Sequence, residues 1–596
     1  MKTHGAGEIS KEDVGELVTV AGWVQKRRDH GGIAFIDLRD ASGLVQVVAD
    51  PADHPQVTEL KMEYCIRVSG TVRTRPEGTE NPDLATGLFE IGASELEVLS
   101  PAKTLPFMID DRVDVEETVR LRHRYLDLRR PRMAANLRAR SKATAAIRRT
   151  LDDQGFLEVE TPTLIGSTPE GARDMLVPSR LRQGEFFALP QSPQLFKQIL
   201  MISGVERYFQ IARCYRDEDF RADRQVEFTQ LDLEGSFWDV DEVLTTIESV
   251  LTAVVSELRG TEIRRPFPRL TWREAMDRYG SDKPDIRFGM EIIDLSTVFA
   301  DTGFGVFQSA LGSGGTVRGI NAGAIDWSRS RADAMTERAK ELGAKGLVWM
   351  VVEDDGSVRS PVAKFLGAGE IAGLLDAMEA VSGDVLLLAA DNWKTAVGVL
   401  GAMRLDLGRP ARHDELAFLW VVDFPLFEEE EDGTITFSHH PFTSPVSIDE
   451  MRENPREAIS KAYDAVLNGV ELGSGSIRIH DPETQRQVFE ILGIDAETAQ
   501  RRFGWFLEAL QFGTPPHGGF AFGVDRLVMV IQNESSIREV IPFPKTQTGS
   551  DPMTGAPTWV EDSQLDELGI ELTPQARSRR EESSPDNSSL NQPGHR

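Results

Sequence analysis

Residues 1–104 carry apolar side chains at every second position in short runs, and this pattern limits the possible fold more than any other part of the chain. Alternation with a period of two is typical of strands that bury one face. Gly-containing turns separate the runs, which are LVTVAGWVQ, IAFIDLRD, LVQVVAD, YCIRVSGTV and LFEIGASELEVL. The pattern predicts a small antiparallel β-barrel. In the second run, Ala34, Ile36 and Leu38 share one face and Phe35 lies on the other.

The rest of the chain predicts several further domains, because 596 residues are too many for one core. A stretch rich in Ala, Gly and Val alternates helix-like with strand-like runs and predicts an α/β insertion within a larger domain. The end of the chain, beyond about residue 574, has few apolar residues and is expected to be disordered. The predicted segments are a barrel (1–104), a hinge (105–135), a first core part (136–285), the insertion (286–413), a second core part (414–560) and a C-terminal extension (561–596).

Composition excludes several classes of protein. The chain has no apolar run long enough for a membrane span, and its start, MKTHGAGEISKED, lacks the apolar segment of a secretory signal. Cys65 and Cys214 are its two cysteines, so no disulfide framework or cysteine-rich zinc site is expected. The histidines show no HExxH spacing, and we expect no structural metal. A reducing, cytoplasmic location fits these features.

The net charge of −30 argues against nucleic acid as a partner, but the charge is unevenly distributed. Residues 120–149 contain many Lys and Arg residues and one acid, Asp127. Such a basic stripe can bind phosphates. The alternative is an ordinary solvated helix face.

Three blocks suggest a nucleotide site: FFALPQSPQLFKQ, RCYRDEDFRADRQVEFTQLDLE and GGFAFGVDRL. Arg216 lies in a charged turn before a predicted strand, and Arg526 follows Gly518, Gly519 and Gly523. Guanidinium groups grip phosphate oxygens through two parallel hydrogen bonds, so two separated arginines suit the two ends of a triphosphate. Small residues let a nucleotide approach the backbone. The alternative is that both arginines form surface ion pairs.

In this order the blocks resemble the signature motifs of class II aminoacyl-tRNA synthetases. GFLEVETPTL resembles motif 1, the dimer-interface helix and strand; YRDED resembles motif 2; and GFAFGVDR resembles motif 3. The further blocks TPEGARD, QSPQLFK, SHHPFT and ELGSGSIRIHD are similar to the bacterial type of aspartyl-tRNA synthetase. The resemblance covers about residues 1–560. Ser474 stands where the family usually has glycine, and no loss of activity is expected from it.

The resemblance implies an α+β multidomain protein. Its parts are an N-terminal OB-fold barrel that binds the anticodon, a class II catalytic core built on an antiparallel sheet, and an α/β insertion domain. The implied reaction joins L-aspartate to ATP with release of pyrophosphate, and then transfers the aspartyl group to the 3′ end of tRNA(Asp). The implied cofactors are ATP and Mg²⁺, and the implied assembly is a homodimer in which Phe156, Leu157, Val159 and Leu164 form part of the interface.

The resemblance also assigns site residues. Arg216, Glu218 and Arg526 would be catalytic. The proposed nucleotide-binding residues are Arg216, Asp217, Glu218, Gln225, Glu471, Gly523, Val524, Asp525 and Arg526. Asp464 and Glu471 offer hard oxygen ligands for Mg²⁺, although Asp464 could equally be a surface residue. Aspartate would be bound by Glu170, Ser192, Gln194, Lys197, Arg216, Asp232, His439, His440 and Arg478. Gly166 and Gly171 could flank a flap that carries Glu170.

For the anticodon, the resemblance implicates Arg28, His30, Phe35, Gln46 and Gly78. Phe35 could stack on a base, or it could be an ordinary buried residue. A His and a Gly at positions 30 and 78 are associated in the family with enzymes that charge both tRNA(Asp) and tRNA(Asn). The product on tRNA(Asn) would then need a tRNA-dependent amidotransferase. The alternative is that both are neutral loop residues and the enzyme is strictly discriminating.

Two other classes of protein remain as rivals. An asparaginyl or lysyl synthetase would share the barrel and the core, but would not be expected to combine Lys197, Arg478 and the insertion. A non-catalytic nucleic-acid-binding relative would be expected to have lost Arg216 or Arg526.

Overall fold

The computed structural model of the chain describes residues 1–168, 171–219, 221–408, 410, 414–430 and 432–582. The chain divides into two compact units, Met1–Val115 and Glu116–Arg596. No helix in these described ranges is long and apolar enough to cross a lipid bilayer.

The first unit is the predicted barrel. Its five strands are β1 (Leu17–His30), β2 (Ile33–Arg39), β3 (Leu44–Ala49), β4 (Cys65–Thr74) and β5 (Phe89–Ser100). They close in the order β1-β2-β3-β5-β4. The barrel is not wholly antiparallel as predicted, because β3 and β5 run parallel. Ala34, Ile36 and Leu38 are fully buried in its core, as the alternation predicted.

The second unit begins with the elements of the first core part. In chain order they are α1 (Glu117–Arg122), α2 (Arg124–Asp127), α3 (Pro131–Asp152), β6 (Leu157–Glu158), β7 (Leu176–Pro178), β8 (Phe186–Ala188), α4 (Gln194–Ile202), β9 (Arg207–Tyr215), β10 (Glu227–Ser236), α5 (Val240–Arg259), β11 (Arg269–Thr271) and α6 (Trp272–Tyr279). Strands β9 and β10 form the antiparallel pair expected around the charged turn.

The insertion forms its own sheet of five strands in the order β12-β13-β16-β14-β15. Its elements are β12 (Ile293–Asp294), α7 (Gly305–Gly312), β13 (Thr316–Ala324), α8 (Arg329–Glu341), β14 (Val348–Val352), β15 (Val358–Arg359), α9 (Ala368–Ala377), β16 (Asp384–Asp391) and α10 (Trp393–Leu407). Alternate residues of β16 enter two different apolar clusters, so both faces of this sheet are covered.

The chain then returns to the core. These elements are β17 (Phe418–Val422), β18 (Phe427–Glu429), β19 (Ile435–Phe437), α11 (Ile448–Glu453), β20 (Ala462–Leu467), β21 (Val470–Ile477), α12 (Pro482–Ile491), α13 (Ala496–Ala509), β22 (His517–Gly523), α14 (Val524–Ile531), α15 (Asp562–Leu568) and α16 (Pro574–Glu582). The prediction of disorder from about residue 574 is wrong for Pro574–Glu582, which are helical. The remainder of the tail lies outside the described residues.

The core sheet has the order β11-β17-β20-β21-β22-β10-β9-β6. It is antiparallel except where β11 pairs with β17 and β6 pairs with β9. Helices α3, α5 and α14 cover one face, where Leu231 and Leu233 of β10 join their apolar cluster. Because side chains alternate along a strand, Gln230, Asp232 and Glu234 point to the opposite face.

The basic stripe at 120–149 is largely neutralised within the chain. Arg120, Arg124 and Arg130 surround the buried Asp127, and further members pair with Glu534, Asp525, Glu158 and Glu257. Most of its cations therefore pair with acids of the same chain, and Arg120, Arg124 and Arg130 do so in its interior. The same contacts correct the predicted hinge: Arg124 is buried and donates to the carbonyls of Arg538, Ile541 and Pro542, so this part of 105–135 belongs to the second unit.

The motif 1 segment is only partly available for an interface. Phe156 is 5% exposed and belongs to the apolar cluster of the core, which contradicts its predicted place in an interface. Leu157 and Leu164 are 56% and 52% exposed.

Candidate active site

A cavity of about 630 Å³ opens on the face of the core sheet that the three helices leave uncovered. It brings together residues from blocks that lie far apart in the sequence. The predicted site residues that line it are Ser192, Gln194, Lys197, Arg216, Glu218, Gln225, Asp232, His439, His440, Glu471, Arg478, Gly523, Asp525 and Arg526. Glu170 lies outside the described residues.

A buried cluster of four charges forms the floor of the cavity. Lys197 Nζ lies 2.7 Å from Asp232 Oδ1 and 3.2 Å from Glu234 Oε2. Arg478 donates from Nε to Glu234 Oε1 at 2.8 Å and from Nη2 to Glu234 Oε2 at 3.2 Å. All four side chains are at most 2% exposed. The two cations and two anions balance, which is the condition for keeping charges in a low-dielectric interior.

The two acids of this cluster differ in environment. Burial raises the pKa of Asp232, and the nearby Lys197 opposes the change only in part. Burial acts on Glu234 in the same direction, but Arg478 and Lys197 outweigh it and lower its pKa. Asp232 is in ion contact with Lys197, yet its oxygens accept no well-aligned hydrogen bond from the described residues. Its carboxylate therefore retains capacity for a donor that enters the cavity.

His439 and His440, which also line the cavity, have different partners and opposite pKa shifts. Arg478 Nη1 lies 2.6 Å from His440 Nε2, and because arginine can only donate, the ring nitrogen accepts. Burial and the charge of Arg478 hold the pKa of His440 well below its usual value, so the ring is neutral. His439 faces Asp464 at 3.2 Å. Burial alone would lower the pKa of His439, but this carboxylate raises it.

The motif 2 arginine lies against an aromatic ring. The guanidinium of Arg216 is 5.1 Å from the ring centre of Phe228, within the range of a cation–π contact. Its Nε donates to the carbonyl of Gln191 at 3.4 Å. Gln191 is buried and bonds to both backbone groups of Ala172. Gln191 thus ties the motif 2 arginine to the segment that follows motif 1.

Arg526, on the first turn of α14, is fixed at another wall of the cavity. Its Nη1 donates to the carbonyl of Glu471 at 2.8 Å, and its Nη2 lies 3.2 Å from Asp223. Its Nε is buried with no hydrogen-bond partner among the described residues. A phosphate oxygen could accept from such a donor.

Two carboxylates offer a place for a divalent cation. Asp464 on β20 is buried, and burial together with the charges of Glu471 and Asp282 raises its pKa to about 6 although His439 opposes the rise. Glu471 lines the cavity on β21. No cluster of three His, Cys, Asp or Glu ligands occurs among the described residues. Two carboxylates are nonetheless enough for Mg²⁺, which keeps several waters and also binds substrate phosphates. A cation would relieve the repulsion between these acids, so the donor set fits.

Three predicted residues within the described part of the chain, Asp217, Asp464 and Val524, are not among those that line the cavity. Asp217 lies outside its walls and faces Arg173 at 3.5 Å. Val524 is fully buried in the apolar cluster, because its side chain points from α14 into the core. Asp525 does line the cavity, but its carboxylate accepts from the backbone of Thr229 at 2.7 Å and pairs with Arg140, so it also anchors α14.

Two other predictions need correction in detail. Gly518 and Gly519 do not border the cavity. A Cβ at Gly519 would lie 1.8 Å from Glu234 Oε2, so this glycine makes room for the buried acid instead of for a nucleotide. Both ends of the Gln225 amide bond to the backbone of Lys545, at 3.1 and 2.8 Å, and this fixes the loop beside the cavity.

Three of the predicted anticodon residues, Arg28, Phe35 and Gln46, lie on one surface of the barrel. Arg28 pairs with Phe35 in register, and Asp37 pairs with Gln46, which places all four on the face opposite the core. Arg28 Nη2 lies 2.7 Å from Asp37, and Gln46 donates to Glu90 at 2.8 Å. Phe35 is half-buried and points away from the core, as the alternation predicted, and its stacking on a base stays a prediction.

The two loop positions associated with charging of tRNA(Asn), His30 and Gly78, are both exposed. His30 is exposed at the start of the β1–β2 turn. Gly78 has a φ of +81°, and a Cβ built there would meet no atom within 4 Å.

Sequence reasoning missed Glu234, Phe228, Gln191 and Lys283 as cavity residues or direct supports. A signal existed for Glu234: it lies two positions after Asp232 on a strand, so both acids had to share a face. No comparable pattern marked Lys283, which reaches the cavity from the loop after α6.

Comparisons with known proteins identify the family of this chain. The family described as tRNA synthetases class II (D, K and N) matches residues 116–547, and an OB-fold nucleic acid binding domain matches residues 18–99. The Aspartate--tRNA(Asp/Asn) ligase of Moorella thermoacetica is 54% identical over 96% of this chain and 97% of its own. The enzyme of the same name from Syntrophomonas wolfei is 50% identical over 96% of this chain and 99% of its own.

Solved structures share the fold. An asparaginyl-tRNA synthetase from Pyrococcus horikoshii, complexed with asparaginyl-adenylate, is 19% identical with a TM-score of 0.56, covering 91% of this chain and 98% of its own. An aspartyl tRNA synthetase from Entamoeba histolytica is 20% identical with a TM-score of 0.55, covering 91% of both chains. With a family match over most of its length and relatives above 50% identity, the chain belongs to the class II tRNA synthetases and, within them, to the aspartate–tRNA ligases.

Proposed function

We propose that this chain activates L-aspartate with ATP and transfers the aspartyl group to tRNA(Asp) and to tRNA(Asn). In the first step an α-carboxylate oxygen attacks the α-phosphorus of ATP and pyrophosphate leaves. In the second step the terminal hydroxyl of the tRNA attacks the carbonyl and AMP leaves. Positioning and charge neutralisation supply most of the rate in reactions of this kind. The buried cluster of Lys197, Arg478, Asp232 and Glu234 is the observation that carries the proposal.

Charge balance supports aspartate as the amino acid. The substrate ammonium would bind Asp232, which has free acceptor capacity, and the side-chain carboxylate would bind Lys197 and Arg478. The occupied cluster would then hold three cations and three anions. Asparagine would bring the same ammonium but a neutral amide in place of the side-chain carboxylate. One buried positive charge would then be left uncompensated. Such a defect costs several kcal/mol, enough to select aspartate without an editing domain.

The nucleotide would occupy the part of the cavity between the two arginines. Arg216 would contact the α-phosphate and the substrate carboxylate, with Glu218 and Gln225 beside the nucleotide. Phe228, against which Arg216 lies, offers an apolar face for the adenine ring. Arg526 would bind the γ-phosphate through its unpartnered Nε. The presence of both arginines in an assembled cavity disfavours a non-catalytic relative.

Asp464 and Glu471 would hold Mg²⁺ together with phosphate oxygens. When bound, the ion would neutralise phosphate charge that the arginines leave uncompensated. His439 would keep Asp464 oriented toward it through the contact at 3.2 Å.

We also propose a homodimer. The exposed Leu157 and Leu164 lie in the segment that resembles motif 1, and large exposed apolar side chains often mark an interface. A symmetric pair would bury the same surface on both copies.

The tRNA(Asn) activity rests on His30, on Gly78 and on the names of the relatives, which print both tRNAs. A small flexible residue and a ring that can donate, accept or stack would tolerate either base at the anticodon position that differs. The aspartyl-tRNA(Asn) product would require a downstream amidotransferase. Its place in protein synthesis makes the cytoplasm the expected compartment.

The test is pyrophosphate exchange with each of the twenty amino acids. Aspartate alone should support exchange, and exchange with asparagine or lysine would favour the rival enzymes. Lys197→Met should abolish aspartate-dependent exchange while tRNA binding survives. Normal exchange in this variant would reject the pocket assignment.

A further inference from the structure

One cation in the cavity has no assigned task. Lys283 lines the cavity from the loop between α6 and the insertion, and its side chain is 49% exposed. Its ammonium forms no hydrogen bond to the described residues, and the carboxylate paired with it is that of the adjacent Asp282, at 4.0 Å. A lysine so placed is available to a ligand.

The neighbours of Lys283 show at which end of the cavity it lies. A Cβ at Gly469, which also lines the cavity, would lie 3.2 Å from the Cβ of Asp285, two residues after Lys283. The charge of Asp282 acts on Asp464. Glu471 follows Gly469 by two residues, and its carbonyl binds Arg526. Lys283 therefore lies at the end of the cavity that holds Glu471 and Arg526, and Asp464 is near this end although it does not line the cavity.

This end is rich in acids. Asp223 already faces Arg526, and Glu471, Asp464 and Asp282 add further negative charge. The distal phosphates of a triphosphate carry several negative charges of their own. A second cation beside Arg526 would offset this repulsion, and Lys283 is the described cavity residue that can supply it without giving up an existing hydrogen bond.

The loop that carries Lys283 is held by the insertion. Arg404 of α10 is 1% exposed and donates from Nη2 to the carbonyls of Asp285, Phe288 and Gly289, at 2.7, 2.8 and 3.0 Å. Its guanidinium also lies 4.2 Å from the ring centre of Phe288. One buried arginine thus satisfies three carbonyls of an otherwise irregular segment.

A second contact fixes the start of the same loop. Gly280 has a φ of +66°, and a Cβ there would lie 2.1 Å from the carbonyl of Val397 and 2.7 Å from the Cα of Gly401, both on α10. The backbones of the loop and of α10 therefore touch directly. Through these contacts the insertion determines where Lys283 enters the cavity.

We propose that Lys283 binds the distal phosphates of ATP, and of pyrophosphate in the reverse reaction, and that α10 of the insertion positions it through Arg404. This inference rests on the proposed function and adds a phosphate-binding residue and a task for the insertion. Binding of AMP, which lacks the distal phosphates, does not depend on Lys283.

The first test compares Lys283→Met, Lys283→Arg and a matched control, Lys345→Met, which removes an exposed lysine of the insertion. Lys283→Met raises the KM for ATP and for pyrophosphate about tenfold or more, the scale of one lost contact to a charged group. The KM for aspartate and the affinity for AMP stay unchanged. Lys283→Arg restores most of the ATP affinity, and the control equals the parent. An unchanged KM for ATP in Lys283→Met overturns the proposal.

The second test asks whether the insertion acts through this lysine. In an Arg404→Gln background, Lys283→Met should cost much less ATP affinity than it does in the parent, because the loop no longer holds the ammonium in place. Equal costs in both backgrounds would reject the role of Arg404. If the parent enzyme lacks aspartate-dependent exchange, the proposed function fails. If the parent exchanges normally and Lys283→Met retains the parental KM for ATP, the inference alone fails.

Discussion

Glu234 accepts two hydrogen bonds from the guanidinium of Arg478, at 2.8 Å from Nε and 3.2 Å from Nη2, in the fully buried floor of the cavity. The same carboxylate lies 3.2 Å from Lys197. One acid therefore holds both cations that are proposed to select aspartate. It does so from a position where a glycine, Gly519, leaves it room.

Replacement of Glu234 by glutamine tests this arrangement. The change keeps the shape of the side chain and leaves Lys197 and Arg478 with Asp232 alone, so one buried positive charge is uncompensated. We expect a loss of roughly 3–5 kcal/mol in unfolding free energy, the usual cost of breaking a buried pair. Aspartate should also bind more weakly. Urea unfolding and the KM for aspartate measure the two effects.

The exposed Glu457→Gln is the matched control for the loss of one carboxylate, and it should behave as the parent. Parental stability and parental aspartate binding in Glu234→Gln would show that Glu234 does not organise the two cations.

Much of the fold could be predicted because the responsible signals are local. The alternation Ala34, Ile36, Leu38 follows directly from the pleat of a strand whose core side is apolar. The hairpin of β9 and β10 likewise shows in its charged turn and apolar strand. The motif resemblance supplied the remainder of the architecture and most of the cavity residues.

The predictions that were wrong or incomplete have a common physical cause. The sequence reveals which residues are charged, but not where their partners lie in the fold. The arginines of 120–149 face acids that lie far along the chain, such as Glu534 and Asp525. Val524 lies in the same motif as Arg526, yet its position on the helix turns its side chain into the core. Lys283 reaches the cavity because a loop is fixed by α10, a contact with no local sequence pattern.

Relaxed tRNA selection should depend on the two barrel loops. We expect His30→Leu with Gly78→Lys to lower aspartylation of a tRNA(Asn) transcript selectively and to leave tRNA(Asp) charging near the parental rate. Gly78 has open space but a φ of +81°, so a side chain there meets no atom and costs roughly 1–2 kcal/mol of backbone strain.

Gly15→Lys controls for that strain, because Gly15 lies in the same unit with a φ of +93° and equally open surroundings. It should leave both activities unchanged. Parental aspartylation of tRNA(Asn) by the double variant would remove these loops from the explanation. Background charging of tRNA(Asn) by the parent would end the proposal of dual specificity.

The proposed dimer should depend on the exposed motif 1 leucines, Leu157 and Leu164. Leu157→Glu places a charge where an apolar surface is proposed to be buried against a second copy, so it should shift the enzyme to monomers at micromolar concentration. Sedimentation measures the shift. Val306→Glu, at a similarly exposed position on α7, should remain dimeric. A fully active monomeric parent would contradict the proposed interface.

The neutral His440 predicts a loss of stability in acid. Burial and Arg478 hold its folded-state pKa well below the value of about 6.5 that it has in the unfolded chain. Below pH 6.5 the unfolded chain therefore binds a proton that the folded chain does not. Each further pH unit should cost about 1.4 kcal/mol until the folded-state pKa is reached.

Urea unfolding between pH 7.5 and 5.5 measures this dependence. His440→Gln removes the titrating group and should flatten the loss by about that slope. An identical slope in the variant and the parent would show that His440 does not remain neutral in the folded protein.

The buried cluster is proposed to make this chain an aspartate-activating enzyme. The most direct measurement incubates the protein with ATP, Mg²⁺ and equal concentrations of aspartate and asparagine, and identifies the enzyme-bound adenylate by mass spectrometry. We expect aspartyl-adenylate and no asparaginyl-adenylate. Asparaginyl-adenylate, or no adenylate at all, would contradict this proposal.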